Sequence, residues 1–573
     1  MVQTPVPQPQ SEHPIREDRL HESDRQTRIP KFLVAFVMFT TGAAGLVFEY
    51  VLSTVTTYIL GNAIEQFSMT IAVMMLFMGV AGVVQKSIQD QALIAAFAAA
   101  ECLLALAGGF APLILEFAFA NFTDHFLLVH YTLAAAIGLL IGIEIPLILR
   151  INARWTPNLR ANIATILTWD YVGAFLGALI WTFVLLRYFP ITHISFIVAI
   201  FNLAVATIAI VAFATFRLVK HAKLVIALML ATLLLLAVGA VKVRELDLQL
   251  EQSLYSAPIA FSATTRYQHI VVTHQTALND WRLYINGNLQ FSSLDEARYH
   301  EMLVHPVMGV ALQHSRVLIL GGGDGLALRR VLEWDGVQKV LLVDIDPDMI
   351  KLARENSAIS ALNKGVFSDV RVLSESAPGI SSGGMRPAKP GPRKKLAVPP
   401  VPVSIMNIDA DIFLRDAEQS SWDVVIVDLP DPSSIELTKL YSLEFYEKIR
   451  RVLAPGGTVS VQSTSPYHAK EAFLTILRTV KAARFQILPY RINVPSFGDW
   501  GFTLAWVGRP ENEIRERFIQ SGLAATATFI TPEIMRASLA FGRSELDSQF
   551  TDVNMMMRPV LLERYLQAAW AVE

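Results

Sequence analysis

Four aspartates follow apolar segments in the C-terminal half of the chain, and their types and spacing could do chemistry. They are Asp324, Asp344, Asp428 and Asp431. In an open α/β sheet, ligands bind beyond the carboxyl ends of the strands, so we expect these side chains to share one crevice. Carboxylates gathered in one place repel one another unless the ligand is a cation. The pattern favours a polyamine or a sulfonium nucleoside, and the alternative is that the Asp-Pro pairs only cap a loop.

A glycine-rich loop, 321–325, reads Gly-Gly-Gly-Asp-Gly. It lies between an apolar run typical of a buried strand, 317–320, and a helical pattern, 326–334. A second apolar run, 340–343, leads into Asp344. Glycine lets the backbone turn tightly and approach a ligand, and an acid about 20 residues further on can bind a ribose hydroxyl. These features together predict a nucleoside-binding βαβ unit rather than a plain tight turn.

The aspartate inside this loop, Asp324, bears on which nucleoside fits. Intact S-adenosylmethionine carries a carboxylate that must be seated near such a loop. Two like charges ~4 Å apart cost ~4 kcal/mol at an effective dielectric constant of ~20. Asp324 would repel that carboxylate and attract an ammonium group. The sequence therefore favours a decarboxylated, cationic ligand.

The elements that position these residues occupy only part of the chain. Of the 573 residues, 53% are hydrophobic and 17% are charged, unlike an ordinary soluble protein. Between Lys31 and Val243, apolar stretches repeatedly reach the ~20 residues that cross a bilayer. The seven stretches are 32–60, 67–87, 92–119, 126–149, 164–187, 191–214 and 223–242. They predict an α-helical transmembrane bundle of about seven spans, in a multi-pass protein of the cell (inner) membrane.

We divide the chain into four parts. They are a disordered N-terminal tail, 1–30, a transmembrane domain, 31–243, a linker, 244–260, and a globular domain, 261–573. The globular part alternates strands and helices, which is typical of an α/β fold, and begins with a hairpin, 270–273 and 282–285. A stretch rich in Ser, Gly, Pro and basic residues, 374–404, predicts a flexible insertion.

Charge and cysteine content exclude several functions. The net charge of −2 gives no indication of a nucleic-acid partner. The single cysteine, Cys102, excludes intrachain disulfides and a cysteine metal site, and no cluster of metal ligands is visible. Acids inside apolar spans are costly and often functional, which makes Glu49 and Glu144 candidates for contact with a cation. The plainer explanation for both is hydrogen bonding between helices.

Nine short motifs follow one another in the globular domain. They are Tyr-Gln-His-Ile at 267–270, Gly-Asn-Leu-Gln at 287–290, Asp-Glu-Ala-Arg-Tyr-His-Glu at 295–301, Gly-Gly-Gly-Asp-Gly at 321–325, Val-Asp-Ile-Asp at 343–346, Asp-Ala at 409–410, Asp-Leu-Pro-Asp-Pro at 428–432, Phe-Tyr at 445–446 and Leu-Ala-Pro-Gly-Gly at 453–457. In these motifs the domain resembles the spermidine synthase (aminopropyltransferase) family. The whole chain resembles the branch with an N-terminal multi-span membrane domain. The resemblance implies a Rossmann-like, methyltransferase-type α/β domain with a small N-terminal β-hairpin subdomain.

The resemblance also implies a role for each candidate residue. The nucleoside would be held by Gln268, Gly321, Gly323, Asp344, Asp409 and Ala410, and the amine by Tyr299, His300, Asp324 and Asp431. Asp428 would be the catalytic proton acceptor. No cofactor would be bound permanently, because decarboxylated S-adenosylmethionine is a co-substrate, and no metal would be needed.

The implied reaction moves an aminopropyl group from this nucleoside to a polyamine acceptor such as putrescine. The products would be a spermidine-type amine and methylthioadenosine. Val494 stands where the family has a tyrosine, which puts putrescine in doubt. Two alternatives stay open: an amine N-methyltransferase that uses intact S-adenosylmethionine, and a non-catalytic polyamine-binding membrane transporter or sensor. The expected partners are a polyamine and a lipid bilayer, without nucleic acid, and a homo-oligomer stays open.

The distribution of basic residues and the source of the substrate predict different sides of the membrane for the globular domain. With seven spans, twelve Lys and Arg lie on the side of the N terminus, and Arg187, Lys242 and Arg244 lie on the other. The positive-inside rule then places the globular domain outside the cytoplasm. The nucleoside substrate, however, is made inside, so we predict the cytoplasmic side. A re-entrant third span would remove the conflict, and glycines at 108–109 together with Pro112 interrupt that span.

Overall fold

The computed structural model divides the chain into two compact units, Met1–Leu254 and Tyr255–Glu573. The structure describes residues 17–60, 63–215, 219, 221–368, 372–373, 402–520 and 527–568. The predicted tail is therefore described only from residue 17, and most of the predicted insertion, 374–401, lies outside the described residues.

The described part of the N-terminal unit is helical. Its helices are α1 (Glu17–Leu60), α2 (Ala63–Val84), α3 (Leu93–Gly109), α4 (Ala111–Asn121), α5 (Phe126–Asn152), α6 (Leu159–Ile180), α7 (Leu186–Tyr188), α8 (Ile191–Thr215) and α9 (Ala222–Gln252). A π-helical turn, Trp181–Leu185, joins α6 to α7. Two boundaries differ from the sequence prediction: residues 17–30 are helical rather than disordered, and α9 takes up most of the predicted linker, 244–260.

Six helical segments are long and apolar enough to cross a membrane. They are Phe32–Leu60, Ile64–Ser87, Thr123–Asn152, Leu159–Tyr188, Ile191–Thr215 and Ala222–Gln252. The predicted third span, 92–119, is instead two helices, α3 and α4, which meet the same criteria only together and are bent by 50°. Pro112 is at the start of α4, where it removes a backbone donor and clashes with the preceding turn. The break is a physical consequence of that proline.

Small residues let the helices of this unit approach closely. A Cβ on Gly173 of α6 would lie 2.0 Å from the carbonyl oxygen of Phe39 in α1, and one on Gly142 of α5 would lie 2.5 Å from Cα of Met78 in α2. Backbone contact of this kind is typical of helix packing where glycine is available. Most of the segment Phe32–Leu60 of α1 and of α8 is buried, whereas α2, α6 and α9 turn large apolar side chains outward.

The C-terminal unit contains two sheets. A four-stranded antiparallel sheet has the order β1 (Ile259–Thr264), β2 (His269–Gln275), β3 (Asp280–Ile285) and β4 (Asn288–Ser292). The predicted hairpin is present as β2 and β3, but as the centre of this larger sheet. The remaining strands are β5 (Arg316–Gly321), β6 (Lys339–Val343), β7 (Val372–Leu373), β8 (Val403–Met406), β9 (Trp422–Asp428), β10 (Leu453–Gln462), β11 (Gln486–Val494) and β12 (Gly498–Trp506).

These eight strands form one sheet in the order β11-β12-β10-β9-β5-β6-β8-β7. Strands β10 to β7 in this order pair in parallel, and β12 and β11 are antiparallel additions. Because β8 begins at Val403, the predicted insertion, 374–404, extends two residues too far.

Helices cover both faces of the eight-stranded sheet. They are α10 (Glu296–Val310), α11 (Leu326–Val331), α12 (Pro347–Glu355), α13 (Ser357–Leu362), α14 (Ala410–Asp416), α15 (Ile435–Thr438), α16 (Leu443–Val452), α17 (Lys470–Ala482), α18 (Glu511–Gln520), α19 (Pro532–Ala537) and α20 (Val560–Leu566). Alternate residues of β5 enter different cores: Val317 packs with α10 to α12, and Leu318 packs with α14, α16 and α17. The α/β architecture predicted for this domain is confirmed.

Candidate active site

Neighbouring parallel strands bring the predicted carboxylates to one edge of the sheet. Asp428 ends β9, Asp324 follows β5 and Asp344 follows β6, and these three strands are adjacent. Gly321 is in register with Asp428, and a Cβ there would lie 2.0 Å from the Asp428 carbonyl oxygen. Gly321 also has φ +85°, a conformation that favours glycine. The three strand ends thus lie side by side as predicted, and the close approach of the two backbones requires glycine at 321.

Asp428 is held from helix α10. The Tyr299 hydroxyl donates a 2.9 Å hydrogen bond to Asp428 Oδ1. Burial raises the pKa of Asp428 to about 6, and the negative charge of Asp324 adds to this rise, whereas His300 and the Tyr299 hydrogen bond oppose it. A carboxylate with a raised pKa and a fixed orientation can accept a proton from a bound ligand.

His300, Glu296 and Arg329 form a charged network next to Asp324. His300 Nδ1 donates to the Glu296 carbonyl oxygen at 2.9 Å and lies 3.3 Å from Glu296 Oε2. Burial lowers the pKa of His300, but hydrogen bonding to Glu296 and the charges of Asp324 and Asp428 outweigh it, so the pKa rises. Burial raises the pKa of Asp324, and His300 opposes that rise. His300 therefore offsets part of the negative charge in the crevice.

Glu296 completes the network through a buried arginine. Arg329 Nη2 donates to both carboxylate oxygens of Glu296, at 2.9 and 3.0 Å. Burial would raise the pKa of Glu296, but His300 and Arg329 together lower it to about 2. The sequence analysis quoted Glu296 within a motif and gave it no role. A signal was available, because a Glu four residues before a His lies on the same helical face.

We expect Glu296→Gln to destabilise the α/β unit. The change leaves the buried Arg329 without a charged partner, and breaking a buried ion pair costs about 3 kcal/mol or more. Thermal unfolding of the full-length protein in detergent micelles would measure the loss. Glu511→Gln is the control, because Glu511 pairs with Arg515 at an exposed position and such pairs contribute about 1 kcal/mol at most. Equal melting temperatures for the two variants would contradict the expectation.

Two of the predicted nucleoside-binding residues are hydrogen-bonded to acids at the end of β6: Gly323 to Asp344, and Gln268 to Asp346. Asp344 accepts hydrogen bonds from the backbone nitrogens of Gly323 at 3.0 Å and Asp346 at 2.8 Å. Burial raises its pKa to about 6, although these backbone bonds lower it. Gln268 Nε2 donates to Asp346 Oδ2 at 2.8 Å, and Thr265 Oγ1 donates to the same oxygen at 2.8 Å. Asp346, to which the sequence analysis gave no role, thus positions Gln268.

Asp409 caps helix α14 and Ala410 is its first residue, and this helix follows β8, the neighbour of β6. Asp409 Oδ1 accepts from the backbone nitrogen of Asp411 at 2.8 Å, and Lys439 Nζ donates to Asp409 Oδ2 at 2.5 Å. Ala410 is buried. Asn407 Nδ2 donates to the Asp344 carbonyl oxygen at 3.2 Å and so ties this segment to β6. The pair therefore lies beside the Asp344 strand end, with both Asp409 oxygens already bonded.

Asp431 is fixed by three side chains, two from the end of β10 and the loop after it and one from α20. It accepts from Gln462 Nε2 and from Thr464 Oγ1, each at 3.0 Å, and the Tyr565 hydroxyl also bonds to it. Burial raises its pKa to about 6 despite these three bonds. The sequence analysis missed all three partners. Gln462 could have been found, since the strand-like run 458–462 ends at it and forms part of β10 beside β9.

Helix α10 and its N-terminal cap hold two segments near the crevice. Asp295 accepts from the backbone nitrogen and Oγ of Ser496, at 2.7 and 2.9 Å, between β11 and β12. Glu301, which is fully buried, accepts from the backbone nitrogens of 528–530 at 2.9 to 3.1 Å. Tyr299 packs edge-on against Phe497 of the first segment. One helix thus orients Tyr299, His300 and the surrounding loops.

Comparison with known proteins identifies the family. A family profile described as "Spermine/spermidine synthase domain" matches residues 296–378 and 401–516. Polyamine aminopropyltransferase 1 of Streptomyces coelicolor is 38% identical over 559 residues, which cover 96% of each chain. The chain belongs to the polyamine aminopropyltransferase family. The resemblance found in the nine motifs is therefore confirmed, and so is the prediction of an aminopropyltransferase enzyme.

Other members of the polyamine aminopropyltransferase family match the chain over a similar length. The polyamine aminopropyltransferase of Oceanobacillus iheyensis is 35% identical over 537 residues, 92% of this chain and 95% of that one. A solved spermidine synthase, in complex with the transition state analogue AdoDATO, covers 50% of this chain at 23% identity with a TM-score of 0.41, values too low to transfer its ligand. The long matches include the helical N-terminal unit as well as the α/β unit.

Proposed function

We propose that the α/β unit transfers an aminopropyl group from decarboxylated S-adenosylmethionine to a polyamine. The observation that carries the proposal is the grouping of Asp324, Asp428 and Asp431 around adjacent strand ends. Each of these carboxylates has its pKa raised by burial. Partly buried acids of this kind are stabilised by a cationic ligand. Both proposed substrates are cations.

The nucleoside would lie over the glycine loop and the end of β6. Gly321 and Gly323 allow close backbone approach, and Asp344 would take a ribose hydroxyl, with Gln268 oriented by Asp346. Asp409 and Ala410 would border the base. Asp324 would face the ammonium end of the aminopropyl chain. In intact S-adenosylmethionine a carboxylate lies next to that ammonium, and Asp324 would repel it.

The amine would enter from the side of Asp431 and Tyr299, with His300 balancing the charge. A primary amine with a pKa near ~10 is almost entirely protonated at neutral pH and cannot attack. Asp428 would take its proton. The freed nitrogen lone pair forms a bond to the methylene carbon next to sulfur, and the carbon–sulfur bond breaks with its electron pair going to the sulfonium. The products are the longer amine and neutral methylthioadenosine.

Turnover with defined substrates tests this proposal. Full-length protein would be incubated with a polyamine and either decarboxylated or intact S-adenosylmethionine, and products identified by mass spectrometry. We expect methylthioadenosine and a lengthened amine from the decarboxylated nucleoside only. A methylated amine from intact S-adenosylmethionine would replace the proposal with N-methyl transfer, and binding without turnover would favour a sensor or transporter.

The choice of acceptor amine belongs to the same experiment. Val494 is buried at the end of β11 and offers no hydroxyl to an amine. We therefore propose that putrescine is one acceptor among several rather than a strongly preferred one. A competition between putrescine and longer amines in which putrescine wins by orders of magnitude would refute this.

We expect kcat/KM to decrease as the pH is lowered below about 6. Asp428 must be ionised to accept a proton, and its pKa is raised from 3.8 to about 6. Below that pH the protonated form dominates, so each further pH unit should lower kcat/KM about tenfold. Initial rates from pH 5 to 8 at constant ionic strength would show the break. A profile that is flat between pH 5 and 7 would contradict the assignment of Asp428 as the base.

We further propose that the N-terminal unit crosses the cell membrane seven times. A 50° bend leaves α3 and α4 running in the same general direction. At ~1.5 Å per residue they measure ~25 and ~16 Å, enough together for the ~30 Å hydrocarbon layer. The α/β unit then lies on the side with fewer basic residues, yet the nucleoside is produced in the cytoplasm. Substrate supply leads us to propose the cytoplasmic side.

Cysteine labelling in intact cells is expected to show this topology. Cys102 would first be replaced by alanine, and a single cysteine introduced as Glu418→Cys, at an exposed position of the α/β unit. A membrane-impermeant maleimide should label it only after permeabilisation. Arg154→Cys, between α5 and α6, is the matched control and should be labelled in intact cells. The reverse pattern would place the α/β unit outside.

A further inference from the structure

A cluster of three acids lies inside the N-terminal unit. Glu101 of α3 and Glu144 of α5 are fully buried, and Asp170 of α6 is partly buried. The Glu144 carboxylate lies within electrostatic range of both others. Helix α1 contacts two of them, because Thr41 Oγ1 donates to Glu101 Oε1 at 3.3 Å and a Cβ on Gly42 would lie 2.8 Å from Asp170 Oδ1.

Two members of this region lack the hydrogen-bond donors that buried acceptors require. Neither carboxylate oxygen of Glu144 has a partner among the described residues. Asn202 of α8 donates through Nδ2 to Glu101 Oε2 at 2.7 Å, but its own Oδ1 is also buried without a donor. Buried acceptors are nearly always satisfied in native proteins. All the unsatisfied atoms here accept, so the missing group is a donor.

Among the residues whose side chains the structure describes, no Lys or Arg is paired with an acid of this cluster. In α3, α5, α6, α8 and the part of α1 whose side chains are described, 32–60, the Lys and Arg are Arg150 and Arg160, near helix ends. Arg150 is already bonded to Asp90 and to the carbonyl oxygens of Gln85 and Ile88. In the α/β unit, by contrast, Arg329 neutralises the buried Glu296. Charges buried in an apolar region are normally paired, so the ionised form of the cluster requires a counter-charge from a bound species.

The spacing of the acids favours an elongated cation over a metal ion. Among the described residues, no three acidic, histidine or cysteine side chains converge closely enough to hold one metal. The acids nevertheless come from three different helices around one region of α1. Separate carboxylates at separate positions match separate ammonium groups, each of which supplies three donors.

We propose that the cluster of Glu101, Glu144, Asp170 and Asn202 binds a linear amine with two or more ammonium groups. Glu144 and Asn202 Oδ1 accept from one ammonium, and the partly exposed Asp170 receives another from the outer surface of the bundle. This gives the helical unit a ligand of its own. It does not depend on the transfer reaction, since every residue of the cluster belongs to the N-terminal unit.

Chemical protection of Glu144 tests the site directly. Dicyclohexylcarbodiimide modifies protonated carboxyl groups in apolar surroundings, and peptide mass spectrometry of the full-length protein in lipid nanodiscs would give the rate at Glu144. We expect spermidine to slow the modification at least tenfold, and butylamine, with one ammonium at the same ionic strength, to slow it less than twofold. No slowing by spermidine, or equal slowing by butylamine, overturns the proposal.

Binding stoichiometry provides a second measurement that separates this site from the α/β unit. Equilibrium dialysis with radiolabelled spermidine measures the number of amines bound per chain. We expect this number to be lower by one in Glu144→Gln and, separately, lower by one in Glu101→Gln. Methylthioadenosine formation by each variant should stay within twofold of the unaltered protein. Glu245→Gln is the control, because Glu245 pairs with Lys242 at the surface at 2.8 Å, and it should keep full stoichiometry. Unchanged stoichiometry in both cluster variants overturns the proposal. If the unaltered protein forms no methylthioadenosine, that result would instead contradict the proposed transfer reaction.

Discussion

Replacing Asp428 with asparagine is expected to lower kcat by ~10²-fold or more, the usual scale of general-base catalysis. The amide of asparagine has nearly the same shape as the carboxylate and can still accept the 2.9 Å hydrogen bond from Tyr299. It cannot take a proton from an amine. The change therefore removes one chemical step while leaving the architecture at the end of β9 in place.

Initial rates of methylthioadenosine formation would measure this effect, and calorimetry would measure nucleoside affinity. We expect that affinity to change less than threefold, because Gly323 and Asp344 would contact the nucleoside. Asp416→Asn is the matched control, since Asp416 is an exposed aspartate paired with Arg415. Turnover of Asp428→Asn within a few-fold of the unaltered protein would exclude Asp428 as the base.

Replacing Asp324 with asparagine is expected to alter the selection between the two nucleosides. The carboxylate would attract the ammonium of the decarboxylated form and repel the carboxylate of the intact form. At ~4 Å each charge interaction amounts to ~4 kcal/mol at an effective dielectric constant of ~20. Even a third of that value corresponds to about tenfold in affinity. We therefore expect the decarboxylated nucleoside to bind at least tenfold more weakly.

Competition calorimetry with both nucleosides measures the ratio that matters, because a general loss of folding would affect the two equally. Asp324 also accepts from the Leu326 backbone nitrogen at 2.8 Å, a bond that asparagine keeps through its side-chain oxygen. The glycine loop should thus retain its conformation. If the ratio of affinities is the same in Asp324→Asn and in the unaltered protein, charge at this position does not select the nucleoside.

The sequence predicted which strand ends lie together where the local pattern is regular. Asp324, Asp344 and Asp428 each follow an apolar run, and parallel strands place such ends together without any knowledge of distant contacts. It failed where partners come from far along the chain. Tyr565 reaches Asp431 from 134 residues away, and no periodicity records such a contact.

Two features of the fold likewise depend on more than the local sequence pattern. Strands β11 and β12 were not assigned from the sequence, and their place in the sheet is set by antiparallel pairing with each other and with β10. The apolar count gave the length of the third span, and the noted interruption at Pro112 became a 50° bend between α3 and α4 through its effect on backbone bonding. Hydrophobicity alone does not contain that information.

The hydrogen bonds between Glu301 and the backbone of residues 528–530 limit where this protein can be truncated. The family profile ends at residue 516, which makes that position an obvious place to cut. Such a fragment would retain every proposed substrate-binding residue. It would nevertheless leave Glu301 buried without its backbone donors and remove Tyr565 from Asp431. The described residues after Glu516, 517–520 and 527–568, are thus part of the folded domain, and the boundary of sequence similarity is not its boundary.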